Sequence, residues 1–106
     1  MTTLMELTMI PLDKGSSFSK HVAGTLDIID SSGLDYVLTP MGTIIEGEWS
    51  ELLSLLDKCF LNLDKESDRI SISTKFDHRK GRDNRLRGKT KSVEDKLGRS
   101  LKTITK

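Results

Sequence analysis

The chain has 106 residues, of which 35% are hydrophobic and 31% charged, and its formal net charge is +1. This length suits one domain rather than two, and no apolar run approaches the roughly 18 residues of a membrane-spanning helix. The single cysteine, Cys59, excludes an intrachain disulfide and fits a reducing compartment, and Met1–Pro11 does not resemble a signal peptide. We therefore expect a cytoplasmic protein without a membrane segment.

Charge is unevenly distributed along the chain. Residues 1–74 carry 12 acidic and 5 basic side chains, whereas residues 75–106 carry 4 acidic and 12 basic ones. A basic C-terminal region of this kind predicts contact with an acidic surface, either on a neighbouring subunit or on nucleic acid.

The first half of the chain predicts a strand and a helix. Apolar and polar residues alternate over Thr3–Ile10, which indicates a strand that ends at Pro11. Ser16 or Ser17 is a suitable N-cap for a helix over Phe18–Ser31. The apolar stripe of this helix consists of Phe18, Val22, Leu26 and Ile29.

A hairpin, a second helix and a fourth strand are predicted next. The hairpin joins Tyr36–Leu38 to Thr43–Ile45, and the clearest helical period of the chain follows over Glu48–Lys65. The residues on the apolar face of that helix include Trp49 and Cys59. Alternation over Arg69–Asp77 then predicts the fourth strand.

The end of the chain is basic. Arg79–Lys91 predicts a glycine-punctuated basic loop, and Ser92-Val-Glu-Asp95 has the form of a capping box before a short helix over Val93–Leu97. We expect one domain over residues 1–106, with a core over about residues 3–78 and the basic loop and C-terminal helix over residues 79–98.

The element order β-α-β-β-α-β predicts the α+β fold class, as a ferredoxin-like sandwich with a four-stranded antiparallel sheet and an added short C-terminal helix. Both main helices would cover one face of the sheet. Nothing in the pattern covers the other face, which predicts burial against another subunit.

The reversal between the second and third strands is the candidate small-molecule site. Pro40 fixes its own φ and Gly42 tolerates positive φ, so the chain can turn there. Hydroxyl, carboxylate and apolar side chains surround this turn, namely Thr39, Thr43, Glu46, Met41 and Tyr36. The residue types do not name the ligand.

Other reactive residues do not form a recognisable site. His21 and His78 have no second ligand at metal spacing, and Cys59 has no adjacent base, so we predict no catalytic residue and no metal site. A capped helix start is the favoured explanation of the serine residues after Gly15, although Ser17 and Ser19 could offer hydroxyls to a ligand.

Several stretches resemble the small thiamine-binding-protein family related to YkoF. They are Ile10-Pro-Leu12, Ser19-Lys20 with Val22-Ala23, Ser32-Gly-Leu34, Leu38-Thr-Pro-Met-Gly-Thr-Ile-Ile-Glu-Gly-Glu-Trp49 and Lys89-Thr-Lys-Ser-Val-Glu-Asp-Lys-Leu97. The resemblance extends from about Met5 to Leu97. It implies a ferredoxin-like fold and a homotetramer, built as a dimer of dimers with packed sheets, whose C-terminal segment reaches a neighbour.

The same resemblance implies non-catalytic binding of thiamine or its hydroxymethylpyrimidine moiety, without a cofactor. The implied ligand-binding residues are Ser19, Thr39, Met41, Thr43 and Glu46, with Glu46 accepting a hydrogen bond from the exocyclic amine. The alternative is a nucleic-acid or regulatory protein-interaction module that acts through the basic loop over residues 79–91. That loop has no interleaved aromatic residues for base stacking, so we do not expect nucleic acid as the partner.

Overall fold

The computed structural model describes residues 2–16 and 19–103 and contains seven regular elements. They are β1 (Thr2–Pro11), α1 (Ser19–Ser31), β2 (Asp35–Thr39), β3 (Gly42–Gly47), α2 (Trp49–Asp64), β4 (Ile70–Arg79) and α3 (Arg85–Leu97). The predicted βαββαβ order and the ferredoxin-like α+β fold are confirmed. Ser17 and Phe18, the possible cap and the predicted first residue of α1, lie outside the described residues.

The four strands form one antiparallel sheet in the order β2-β3-β1-β4. Met5 on β1 lies opposite Ile45 on β3 and Phe76 on β4. Residues that lie opposite each other point to the same side of a sheet, so these three side chains share the face that packs on α1 and α2. This helix-covered face is called the inner face, and the opposite one the outer face.

The hydrophobic core lies between the inner face and the two main helices. Strand β1 supplies three of its side chains, α2 supplies four, and β3 and α1 supply one each. The members are Met5, Leu7, Met9, Ile29, Ile45, Leu52, Leu55, Cys59 and Leu63. The alternation predicted for β1 and the helical period predicted for α2 therefore both mark the core.

Local hydrogen bonds define where the helices begin and end. The Glu51 carboxylate accepts a hydrogen bond from the backbone N–H of Glu48 at 2.9 Å, which occupies a donor at the start of α2. Gly33 follows α1 with φ of +79°, the left-handed conformation that glycine commonly adopts just after a helix. Trp49, the first residue of α2, is about half exposed. Its ring packs against the ring of Phe76, with 4.8 Å between the two ring centroids.

The C-terminal helix differs from its prediction. Helix α3 begins at Arg85, eight residues before the predicted Val93, so half of the predicted basic loop is helical and Ser92 lies inside the helix rather than at a cap. Its N-cap residue, Asn84, adopts the left-handed conformation with φ of +53° and makes no side-chain cap hydrogen bond. Asparagine is a common N-cap residue, but Leu86 is the one apolar residue among positions 85–92, so no helical period marks the start of α3 in the sequence.

The outer face of the sheet is partly covered by α3, which corrects the expectation that no element of the chain covers it. Helix α3 contacts β3 and β1. Leu86 in its first turn is buried, and so is Val37, whose position in β2 places it on this outer face. No helix among residues 2–16 and 19–103 is long and apolar enough to cross a membrane.

Candidate functional site

The hairpin between β2 and β3 is closed by a two-residue turn. Thr39 pairs with Gly42, which leaves Pro40 and Met41 at the tip. The Met41 N–H donates to Thr39 Oγ1 at 3.0 Å, and Thr8 Oγ1 donates to the Met41 carbonyl at 3.3 Å. The first hydrogen bond stabilises the turn and the second joins it to β1, while the Met41 side chain remains 86% exposed.

Gly42 brings this turn against β1. Its φ is +147°, and a Cβ at this position would lie 2.9 Å from Thr8 Oγ1 and 3.1 Å from the Leu7 carbonyl oxygen. A backbone oxygen cannot move aside as a flexible side chain can, so both the conformation and the close approach require glycine. The positive φ predicted for this residue is confirmed.

A cavity of about 310 Å³ lies between this hairpin, strand β1 and helix α1. Its described lining is mostly apolar, with four threonine residues among it. The members are Leu7, Thr8, Met9, Ile10, Val22, Thr25, Leu26, Ile29, Leu38, Thr39, Pro40, Met41, Gly42 and Thr43. The predicted lip of a small-molecule site therefore borders an actual cavity, called here the hairpin cavity.

The four threonine hydroxyls of the hairpin cavity differ in whether they have a hydrogen-bond partner among the described residues. Thr25 Oγ1 donates to the His21 carbonyl at 3.2 Å. The hydroxyls of Thr8 and Thr39 form the two hydrogen bonds that stabilise the turn. Thr43 is only 4% exposed, and its hydroxyl has no hydrogen-bond partner among the described residues. Since the described part of the chain contains no fully buried side-chain oxygen without a partner, the Thr43 Oγ1 must still meet solvent.

None of the described residues that line the hairpin cavity is charged or titratable in the neutral pH range. Proton transfer needs a group of suitable pKa within hydrogen-bond reach, and metal binding needs several His, Cys or carboxylate ligands. Over residues 2–16 and 19–103, no group of three such ligands occurs anywhere. The described lining therefore offers apolar contacts and neutral hydroxyl groups to a ligand.

The structure brings together three of the five predicted ligand-binding residues. Thr39, Met41 and Thr43 all line the hairpin cavity. Ser19 is exposed at the first position of α1, one turn before Val22, and is not part of the described lining. Glu46 is separate from the others because its position in β3 places its side chain on the outer face.

Glu46 caps the start of α3. Its two carboxylate oxygens accept hydrogen bonds from the backbone N–H groups of Arg85 at 2.8 Å and Leu86 at 2.9 Å. The side chain is 7% exposed, so this carboxylate is buried with its charge directed at the positive end of a helix. A residue about forty positions earlier in the chain thus supplies the cap that Asn84 does not.

Ion pairs fasten α3 to its own sheet. The Arg85 guanidinium donates to Asp77 Oδ2 at 2.6 Å, and Arg87 pairs with Asp35 at 2.8 Å. Hydrogen bonds and charge from Asp35 raise the pKa of Arg87 above its ordinary value. Part of the basic C-terminal region therefore meets the acidic surface of the same chain, an arrangement that the sequence prediction did not include.

A second groove lies between the C-terminal half of α1 and the N-terminal half of α2. It has about 540 Å³ and is the larger of the two, but it is open and its lining includes Asp27, Glu51 and Lys58. None of the five predicted ligand-binding residues borders it. The smaller hairpin cavity is the better candidate because a mostly apolar lining with few polar groups is typical of ligand sites.

The two histidine side chains have polar partners within the chain, and the cysteine side chain is part of the hydrophobic core. His21 Nδ1 lies 3.2 Å from a Glu66 oxygen, and His78 Nδ1 lies 2.8 Å from Thr3 Oγ1. Cys59 is fully buried in the core, and this burial raises the pKa of its thiol to about 11. Such a thiol stays protonated near neutral pH and is a poor nucleophile.

Sequence reasoning missed the helical wall of the hairpin cavity. Val22, Leu26 and Ile29 belong to the apolar stripe that was predicted to face the sheet, and Thr25 lies between them. The stripe itself was a correct signal. The stripe does not show, however, that part of this helix face lies away from the sheet and leaves a cavity.

The fold and the hairpin cavity define a small ferredoxin-like α+β domain with a candidate small-molecule site. Residues 5–94 match the model of a family described as thiamine-binding protein, and the chain therefore belongs to the thiamine-binding protein family.

Relatives support this assignment over most of their length. The UPF0045 protein MJ1052 of Methanocaldococcus jannaschii is 32% identical over 88 residues, which cover 83% of this chain and 88% of that protein. A UPF0045 protein of Methanothermobacter thermautotrophicus is 35% identical over 95 residues, covering 87% of this chain and 96% of the relative.

Solved structures are similar to the whole domain. The crystal structure of protein MJ1052 superposes with a TM-score of 0.79 at 30% identity, covering 89% of this chain and 97% of that one. A candidate thiamine biosynthesis/salvage protein, TM0486 of Thermotoga maritima, superposes with a TM-score of 0.78, covering 88% and 99%. At 17% identity the second likeness shows the fold alone.

Proposed function

We propose that this protein binds thiamine or its hydroxymethylpyrimidine moiety in the hairpin cavity and does not transform it. The observation that carries the proposal is that Thr39, Met41 and Thr43 line one mostly apolar cavity, with no charged side chain in its described lining. Membership in the thiamine-binding protein family supports the choice of ligand.

In this proposal the pyrimidine ring occupies the apolar interior of the cavity. Val22, Leu26 and Leu38 offer hydrophobic contact to its faces, and the Thr43 hydroxyl offers a hydrogen bond to its polar edge. Met41 at the exposed tip is an adaptable apolar wall, because methionine has three rotatable bonds and a polarizable sulfur. The charged thiazolium ring of thiamine would remain at the mouth, in contact with water.

Glu46 is not part of the proposed ligand set. Both of its oxygens already accept hydrogen bonds from α3, and its side chain lies on the other face of the sheet from Thr43. A ligand amine would have to displace two backbone donors to reach it. Ser19 remains a proposed residue at the mouth of the cavity, one helical turn from Val22.

We further propose a cytoplasmic homo-oligomer, a dimer of dimers, as the working form. Strand β4 is an edge strand of ten residues with the exposed Ile72 on its inner face, and α3 covers only part of the outer face. Unpaired edges and partly apolar sheet surfaces are commonly covered in assemblies. Light scattering of the purified protein tests this, and a monomer at micromolar concentration would contradict it.

Isothermal titration calorimetry with thiamine and with hydroxymethylpyrimidine tests the proposed function. We expect saturable binding to the wild-type protein and its loss in Val22→Phe, which fills the cavity from the helix side. Ser54→Phe adds the same ring in the groove between α1 and α2 and is the matched control. Absence of heat with both ligands, or equal binding by Val22→Phe, would contradict the proposal.

A further inference from the structure

The groove between α1 and α2 carries opposite charges on its two walls. Asp27 belongs to the α1 wall and Lys58 to the α2 wall, and both side chains are exposed. Neither of them forms an ion pair with the other or with any other described residue. A carboxylate and an ammonium group that line one groove without pairing leave room between them for a molecule that carries both charges.

Contacts at the other end of the helix pair show which parts of α1 and α2 lie side by side. His21 Nδ1 near the start of α1 lies 3.2 Å from an oxygen of Glu66, which follows the end of α2. Almost one turn further along α1, a Cβ added at Gly24 would lie 3.6 Å from Asn62 Nδ2. The two helices are therefore antiparallel, and since both rise 1.5 Å per residue, this register brings the two unpaired charges opposite each other.

Three serine hydroxyls extend the polar walls of the groove. Ser50, Ser54 and Lys58 follow one another at intervals of four residues, so they lie on one side of α2. Ser31 lies four residues after Asp27 on α1 in the same way. None of the three serine hydroxyls has a hydrogen-bond partner among the described residues. Each wall therefore offers one charge and at least one available hydroxyl to a ligand.

The floor of the groove is aliphatic. It consists of side chains that are less exposed than the polar walls, namely Ile28, Leu34 and Leu55. The whole groove has about 540 Å³, which is within the usual size of a small-molecule site. A ligand can thus place a charged group on each wall and an apolar substituent on the floor.

We infer that the groove between α1 and α2 is a second binding site, which takes a small zwitterion of the α-amino acid class with an aliphatic side chain. Its ammonium group pairs with Asp27, and its carboxylate pairs with Lys58 and accepts a hydrogen bond from Ser54. A ligand with one charge would leave the opposite wall unpaired. The described linings of this groove and of the hairpin cavity share no residue, so the second site is separate from the proposed pyrimidine site.

An NMR titration of the isotope-labelled full chain with L-leucine tests this inference. We expect saturable shifts of the backbone amides of Ser31, Ser54 and Lys58, with a Kd in the millimolar range because exposed charges gain little from pairing. Isopentylamine and 4-methylpentanoate keep the leucine side chain but carry only one of its two charges. Each of them should bind at least about fivefold more weakly than leucine.

Substitutions of the two wall charges test the assigned roles. Asp27→Asn and Lys58→Gln should each weaken leucine binding at least about fivefold. Both side chains are exposed, so we expect both variants to fold, and the NMR spectra show whether they do. Asp57→Asn removes an exposed neighbouring charge that lies outside the groove lining, and this matched control should bind leucine like the wild type.

Three results would overturn the inference. They are the absence of saturable shifts at the groove with L-leucine up to about 20 mM, equally strong binding of either single-charge analogue, and wild-type binding by both Asp27→Asn and Lys58→Gln. None of them concerns hydroxymethylpyrimidine, so a failure here leaves the proposed function unaffected.

Discussion

Glu46 and Leu86 are joined by a hydrogen bond of 2.9 Å from the backbone N–H of Leu86 to Glu46 Oε1, across 40 positions of sequence. The other oxygen accepts from Arg85, so one buried carboxylate occupies two donors at the start of α3. This relationship connects β3 to the C-terminal helix. The position of Glu46 in β3 places its side chain on the outer face, away from the hairpin cavity and toward α3.

Replacement of Glu46 by Ala should release the first turn of α3. Two backbone donors would lose their partner, and we expect a loss of about 1–3 kcal/mol in the free energy of unfolding. Urea denaturation measures this loss, and hydrogen exchange of the Leu86 amide locates it. Glu6→Ala, at an exposed outer-face position of β1, is the matched control. Unchanged exchange at Leu86 would contradict the capping role.

Gly42 and Gly88 should respond oppositely to alanine. At Gly42 the added Cβ would meet Thr8 Oγ1 and the Leu7 carbonyl at φ of +147°, and we expect a destabilisation of about 1–3 kcal/mol. At Gly88, inside α3, nothing lies within 4 Å of the added Cβ, and we expect a gain of about 0.5–1 kcal/mol. Thermal unfolding of both variants checks the contrast, which two shifts of the same sign would contradict.

The two arginine residues that form ion pairs between α3 and the sheet should contribute differently to the free energy of unfolding. The Arg85 side chain is mostly buried and also donates to the Asp77 carbonyl at 2.7 Å, whereas Arg87 and its partner Asp35 are both well exposed. We expect Arg85→Ala to cost about 1–3 kcal/mol and Arg87→Ala less than about 1 kcal/mol. Chemical denaturation at low and high salt measures both, and the reverse order would contradict this account of α3 docking.

Asp13 should contribute a pH-dependent part of the stability. Its oxygens accept hydrogen bonds from Ser67 Oγ at 2.6 Å and from the Asp68 N–H at 2.8 Å, and these bonds lower the pKa of Asp13 from its ordinary value of 3.8. Because the folded pKa is depressed, the contribution is present above pH 3.8 and is lost as the pH falls through the folded pKa.

Asp13→Asn tests that dependence. Urea denaturation at several pH values should show a difference in unfolding free energy between wild type and variant that is full near neutral pH and shrinks below about pH 4. A difference that stays constant down to pH 2 would mean that the Asp13 carboxylate is not the titrating group.

Local sequence patterns were sufficient for the elements that carry the hairpin cavity. The alternation of β1, the period of α2 and the turn at Pro40 and Gly42 depend on residues close together in the chain, and each was predicted at or near its observed position. The start of α3 and the role of Glu46 were not predicted in this way. Their shared cause is a contact across 40 positions, which no local period or capping motif encodes.

An NMR titration of isotope-labelled protein with hydroxymethylpyrimidine tests the central claim most directly, because it shows both whether the ligand binds and where. The account predicts saturable shifts of the backbone amides of Thr25, Met41 and Thr43, with little change along α3. Shifts confined to the groove between α1 and α2, or no saturable shift at the hairpin cavity, would contradict it.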